Sequence, residues 1–156
     1  MAKRSAGILL YRRREKEIEV FLVHPGGPFW MKKDTGAWSI PKGEYAEGDD
    51  PLEAAKREFR EETGFEPPAS AVHELSEVKL ASGKVVRAWS LEGDCDAEQI
   101  ASNTFAMEWP PKSGKMQEFP EVDRAAWFPL AVARNKINVA QRVFLDRLSS
   151  DALSYD

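Results

Sequence analysis

The sequence predicts a single α/β domain. Three observations carry that prediction: short apolar runs separated by charged or glycine-bearing turns, a helix marked at both ends, and an amphipathic stretch toward the C-terminus. A chain of 156 residues has room for one core of ordinary size and not for two. Apolar residues make up 42% and charged residues 31%, a balance that fits neither a disordered chain nor a membrane protein. The count of 22 basic against 26 acidic side chains gives a net charge of −4. That sign disfavours sequence-independent binding to nucleic acid or to anionic lipid, so no stable nucleic-acid or membrane partner is expected. A polyphosphate ligand would need local cations.

The elements follow in order. Ala6 to Tyr11 and Ile18 to Val23 are apolar runs joined by Arg12-Arg13-Arg14-Glu15-Lys16-Glu17, which reads as two strands and a charged hairpin turn. His24-Pro25-Gly26-Gly27-Pro28 breaks regular structure and opens a long loop reaching about Gly36. Loops of that length are often functional, and His24 stands where it either packs or approaches a ligand. Ala37 to Ile40 reads as a short strand, followed by a polar turn at Pro41-Lys42-Gly43-Glu44. A helix is expected from Pro51 to Thr63, because Asp50 can cap it, Pro51 suits its first position, Glu53 lies three residues after the cap, and Gly64 supplies the stop.

Beyond Pro67-Pro68, Leu75 to Leu80 and Val85 to Leu91 form a second expected hairpin, closed at Ser82-Gly83-Lys84. Phe105 to Trp109 is a further candidate strand, Pro110 to Lys115 a basic loop, and Ala126 to Phe128 a last short strand. An amphipathic helix is expected near Leu130 to Leu148, with Ile137, Ala140, Phe144 and Leu148 on the face that docks. The domain is thus assigned to residues 1–148 and residues 149–156 to a flexible tail. Cys95 is the one cysteine, which excludes an intrachain disulfide and, with only His24 and His73 beside it, a Cys/His zinc site. The apolar run before Arg12 is too brief for a signal peptide or a membrane span, so a cytoplasmic protein is expected.

Chemistry concentrates in Arg57-Glu58-Phe59-Arg60-Glu61-Glu62-Thr63-Gly64-Phe65. On a helix, Glu58, Glu61 and Glu62 fall within an arc of about 100°, beside an apolar stripe of Leu52, Ala55 and Phe59. Like charges at these spacings repel, and a hard divalent cation would offset the cost. Arg57 offers another account, since it can pair with Glu61 one turn on, leaving an exposed salt-bridged face.

Upstream, Gly43 is followed by five residues, Asp49, seven residues and then this segment. The whole resembles the Nudix box, Gly-x5-Glu-x7-Arg-Glu-U-x-Glu-Glu-x-Gly-U with U apolar, departing from it only in Asp49 where the family has Glu. The approach Trp38-Ser39-Ile40-Pro41-Lys42-Gly43 and a late Trp127-Phe128 before a C-terminal helix extend the resemblance over most of the chain. It implies a Nudix-like α/β/α sandwich with a mixed β-sheet, and a hydrolase that cleaves a nucleoside diphosphate linked to another moiety, with Mg2+ or Mn2+ as cofactor.

By the same resemblance, Glu58, Glu61 and Glu62 bind metal, with Glu61 or Glu58 helping to activate water, Arg57 orienting carboxylates, and a backbone carbonyl at Lys42 or Gly43 completing the coordination. Glu121, with Glu118 as the alternative, is expected to add an acid from outside the box, and Lys42, Trp38 and Lys115 to meet substrate. The approach to the box is similar to that of members acting on dinucleoside polyphosphates, so the expected partner is a small nucleotide polyphosphate, with a homodimer left open. The competing reading is a catalytically silent sensor of the same fold. A third, the diphosphate isomerase branch, relies on a catalytic Cys, and Cys95 lies in an acidic stretch that would raise its pKa.

Overall fold

The structure, a computed structural model, describes residues 3–153. At its centre is strand β1 (Arg4–Arg14), whose residues from Ser5 to Tyr11 are all buried. Such a run has no polar alternation because both faces of the strand are covered. Ile8 and Leu10 point to one layer, Leu9 and Tyr11 to the other, as the two-residue period of a strand requires.

Strand β2 (Glu17–Pro25) returns antiparallel to β1 through the charged turn. The short β3 (Lys42–Glu44) pairs with the N-terminal half of β1, while β4 (Val72–Lys79) and β5 (Val85–Glu92) form the second hairpin. β5 runs parallel to β1, and β8 (Val122–Pro129) closes the far edge against β2. The main sheet is therefore mixed, in the order β4-β5-β1-β2-β8 with β3 beside β1. A separate two-stranded ribbon consists of β6 (Thr104–Glu108) and β7 (Met116–Pro120).

Helix α1 (Pro51–Thr63) has the boundaries expected from its caps. Asp50 accepts the Glu53 N–H at 3.0 Å, and Gly64, in the left-handed region at φ 80°, donates its N–H to the Arg60 carbonyl at 2.8 Å. Ala54, Ala55 and Phe59 press this helix onto Ile8, Leu10 and Phe21. On the other face, α2 (Leu130–Lys136) and α3 (Arg142–Leu153) cover Leu9, Leu22 and Leu75 through Ala133, Ile137, Phe144, Leu145 and Leu148. The result is the α/β/α sandwich.

Four details differ from the sequence reading. Residues 37–40 make only isolated bridges, Val23 with Ser39 and Trp38 with Ile137, and the strand lies further on at Lys42–Glu44. The expected helix from Leu130 to Leu148 is two helices, because Trp38 intervenes: its N–H donates to the Lys136 carbonyl and its carbonyl accepts the Asn138 N–H. Ile137 is drawn out to ψ 150°, and Asn138 caps a short 3-10 turn at Val139–Gln141. The apolar spacing survives the break, since Ile137, Phe144 and Leu148 all reach the same core. Strand β7 escaped notice because most of its side chains are exposed, so no apolar alternation marks it. Finally, α3 runs on to Leu153, beyond the point at Ser149 where a tail was expected, and residues 154–156 lie outside the described residues.

Candidate active site

Two local structures bring the acids of α1 against β3. Between them, Asp49 closes a tight turn: its Oδ2 accepts the Ala46 N–H and its own N–H donates to the Ala46 carbonyl, each at 3.1 Å. Asp49 thus orders the loop, and the shorter side chain suffices for that task. Arg57 reaches back to donate to the Glu44 carbonyl at 3.3 Å and stands 4.0 Å from the Glu58 carboxylate. Its contacts tie α1 to β3, where the sequence had offered a pair with Glu61.

Gly43 is where helix and strand meet. A Cβ built there would lie 2.1 Å from the Glu58 carboxylate, so only glycine leaves room for that group. One residue earlier, the Lys42 N–H donates to Glu62 Oε1 at 3.2 Å. Glu58 and Glu61, one turn apart on α1, interact electrostatically. Burial, followed by the nearby charge of Glu61, raises the Glu58 carboxyl to about 7, and burial raises Glu62 to about 8 against the opposing pull of the Lys42 N–H. Glu121, in the bend between β7 and β8, joins the same field: burial and Glu61 push its carboxyl upward. Lys42 is lowered by its burial, with Glu62 opposing that fall.

A cavity of about 250 Å³ opens at this cluster. Glu62, Glu121 and Lys42 stand on its wall, with Pro25 from the end of β2, Trp30 from the long loop, and Asn138 and Gln141 from the break between α2 and α3. Gln141 is held in place, accepting the Ile40 N–H at 3.1 Å and donating to Ser39 at 3.0 Å. Four carboxyl groups against one half-buried lysine form a set of hard oxygen donors in charge excess, which suits Mg2+ or Mn2+. Among the described residues no three acidic, histidine or cysteine side chains are gathered closely enough to hold a metal ion between them.

The family model of the NUDIX domain matches residues 1–148. The chain belongs to the Nudix hydrolase family. It is accordingly a hydrolase of pyrophosphate bonds, and the loop, helix and glycine stop from Gly43 to Phe65 are its Nudix box. Solved structures share the fold. A Caenorhabditis elegans Ap4A hydrolase in a binary complex superposes with a TM-score of 0.70 at 22% identity, covering 98% of this chain and 99% of its own. The NUDIX domain of Shewanella oneidensis NrtR, complexed with ADP ribose, gives 0.64 at 19% identity, covering 98% and 89%. The C-terminal domain of mouse MUTYH, bound to human PCNA, gives 0.61 at 16%, covering 98% and 91%.

Against the expected site, the Nudix fold brings together Glu58, Glu61, Glu62, Gly43, Arg57, Lys42 and Glu121. Glu118 lies instead on the β6–β7 ribbon opposite Ala106. Trp38 is not available to substrate: it is 5% exposed, its indole N–H donates to Asp34 at 2.8 Å, and Phe128 and His24 pack edge-on to its ring. Lys115 is misplaced as well, because it ends the turn of the β6–β7 ribbon, a five-residue strand or about 17 Å from the Pro120 end beside the cavity. His24 is fully buried and does not line the cavity; Nδ1 meets Asp123 at 2.8 Å and Nε2 donates to the Lys33 carbonyl at 2.6 Å. Burial and Asp94 lift the Cys95 thiol to about 11, away from a thiolate nucleophile. Asn138 and Gln141 were missed, since only the unforeseen helix break turns them toward the acids.

Proposed function

We propose that this Nudix hydrolase is a Mg2+- or Mn2+-dependent pyrophosphohydrolase that cleaves a nucleoside diphosphate linked to another moiety, with dinucleoside polyphosphates as the leading substrate class. The observation that carries the reading is the placement of Glu62 and Glu121 with Lys42 on one cavity wall, with Glu58 and Glu61 of the same helix in their electrostatic field. Glu58 and Glu62 hold the cation, with Glu61, Glu121 and a backbone carbonyl of the Lys42-Gly43 strand as further oxygens. When bound, the cation supplies charge neutralisation on the pyrophosphate and acidifies a water molecule.

The remaining work belongs to the chain's own side chains. Arg57, anchored on the Glu44 carbonyl, keeps Glu58 against Gly43. Glu61 accepts the proton of the attacking water, with Glu58, its neighbour one turn back on α1, as the other base. Lys42 meets a phosphate oxygen from the cavity wall. The preference for dinucleoside polyphosphates rests on the Trp38-to-Gly43 approach and on the likeness of fold to the C. elegans Ap4A hydrolase. The lone Cys95 fits a reducing cytoplasm.

A panel of dinucleoside polyphosphates, nucleoside triphosphates, ADP-ribose, NADH, CoA and capped RNA, assayed with Mg2+ and with the products identified, tests the reading. Turnover of at least one, lost with EDTA, is expected. Nucleotide binding with no turnover of any would replace it with the sensor reading.

A further inference from the structure

Of the five tryptophans, Trp30 is the most exposed, at 40%, while Trp38 and Trp89 are sunk in the core at 5% and 6%. Trp127 donates its indole N–H to the Cys95 carbonyl at 2.9 Å, and Trp109 packs edge-on against Phe29. The Trp30 indole N–H, among the described residues, has no protein acceptor. A large apolar ring left in water is costly, and this one stands on the wall of the cavity that holds Glu62 and Glu121.

The loop that presents Trp30 is not slack. Its start is tied by the Gly26 N–H to the Glu121 carbonyl at 2.9 Å, its middle by His24 Nε2 to the Lys33 carbonyl at 2.6 Å, and its end by the Gly36 N–H to the Asn135 carbonyl at 3.0 Å. A tied loop that leaves an indole partly in water has already met the ordering cost of a binding platform. Lys33 adds a cation, its Nζ 4.8 Å from the Trp30 ring centroid.

We infer that Trp30 is the platform on which a nucleobase of the substrate stacks, with Lys33 closing over the ring, while the phosphates extend along the cavity to the acids. The inference rests on the proposed nucleotide substrate and assigns recognition of its base to a residue outside the Nudix box. It also makes base identity a weak determinant of affinity, because every base offers a π-face.

Calorimetric titration with α,β-methylene-ADP, which carries a base and resists hydrolysis, and with methylenediphosphonate, which carries no base, tests it in the presence of Mg2+. Trp30→Ala is expected to weaken α,β-methylene-ADP by roughly 10-fold, the scale of one lost aromatic stack, and methylenediphosphonate by less than about 2-fold. Trp30→Phe is expected to restore most of the loss. Unchanged affinity of Trp30→Ala for α,β-methylene-ADP overturns the proposal, as does an equal loss for both ligands or an absence of binding by the wild-type protein. Trp30-dependent binding without turnover of any panel substrate would uphold the platform and remove the hydrolase mechanism, so the two readings fail separately.

Discussion

Glu62 shows how one carboxyl can be assigned a task from its surroundings. It is held by the Lys42 N–H at 3.2 Å on the cavity wall, in a place where burial alone favours the neutral acid. A cation bound beside it would restore the charged form. Glu62→Gln keeps the shape and the acceptor for Lys42 while removing the negative charge. Turnover is expected to fall at least 100-fold with the thermal midpoint nearly unchanged, and near-normal turnover would refute the metal assignment. The two candidates for the acid beyond the box separate in the same way. Glu121 shares the field of Glu61, whereas Glu118 sits on the outlying ribbon. Glu121→Gln is expected to lower kcat by about 10-fold or more and Glu118→Gln to leave it within about 2-fold; the reverse pattern in steady-state kinetics would exchange their roles. Glu58, Glu61 and Glu62 were legible as a group because helical spacing is local. Glu121 was legible only as one of two, since its position depends on the pairing of β8 with β2.

At the scale of elements, α1 is the part in which every local signal agrees. Cap, first-turn proline, apolar face and glycine stop all fall where the boundaries are. Its start is secured by one hydrogen bond at an exposed site, from the Glu53 N–H to Asp50. Asp50→Ala is therefore expected to cost about 1 kcal/mol in urea unfolding with an unchanged m-value, and a loss near zero would show that packing of Phe59 and Ala55 holds the helix end unaided. The C-terminal stretch is the contrasting case. Its apolar period predicts one helix, but the backbone of Trp38 takes the hydrogen bonds that residues around Ile137 would need to continue it. Competition between a helix and a partner from a distant loop leaves no trace in a periodicity, and the same break is what delivers Asn138 and Gln141 to the cavity.

The whole molecule registers the acidic cluster as a dependence of stability on pH. Glu58 at about 7, Glu62 at about 8 and Glu121, also raised, hold their protons more tightly folded than unfolded. Between the unfolded carboxylate value near 4.5 and about 8 the native state binds more protons, so stability must fall as pH rises through that window. Asp34 and Asp94, lowered by their partners, act below it. In EDTA the thermal midpoint is expected to drop between pH 5.5 and pH 8.5, and Mg2+ to raise it more at the higher pH, where no proton has to leave first. Melting curves that are flat over this range, or a Mg2+ effect larger at pH 5.5, would contradict the cluster as described.

Sequence by itself determined the family, the helix that bears the acids and the apolar run that becomes β1. These are written in spacings of a few residues, where backbone geometry leaves little choice. Tertiary structure alone decided that Trp38 is core and Trp30 is surface, that Glu121 rather than Glu118 faces the cluster, and that a glycine must stand against Glu58. Those outcomes depend on which segments meet across the sheet, and burial is a property of the neighbours a residue acquires, not of the residue.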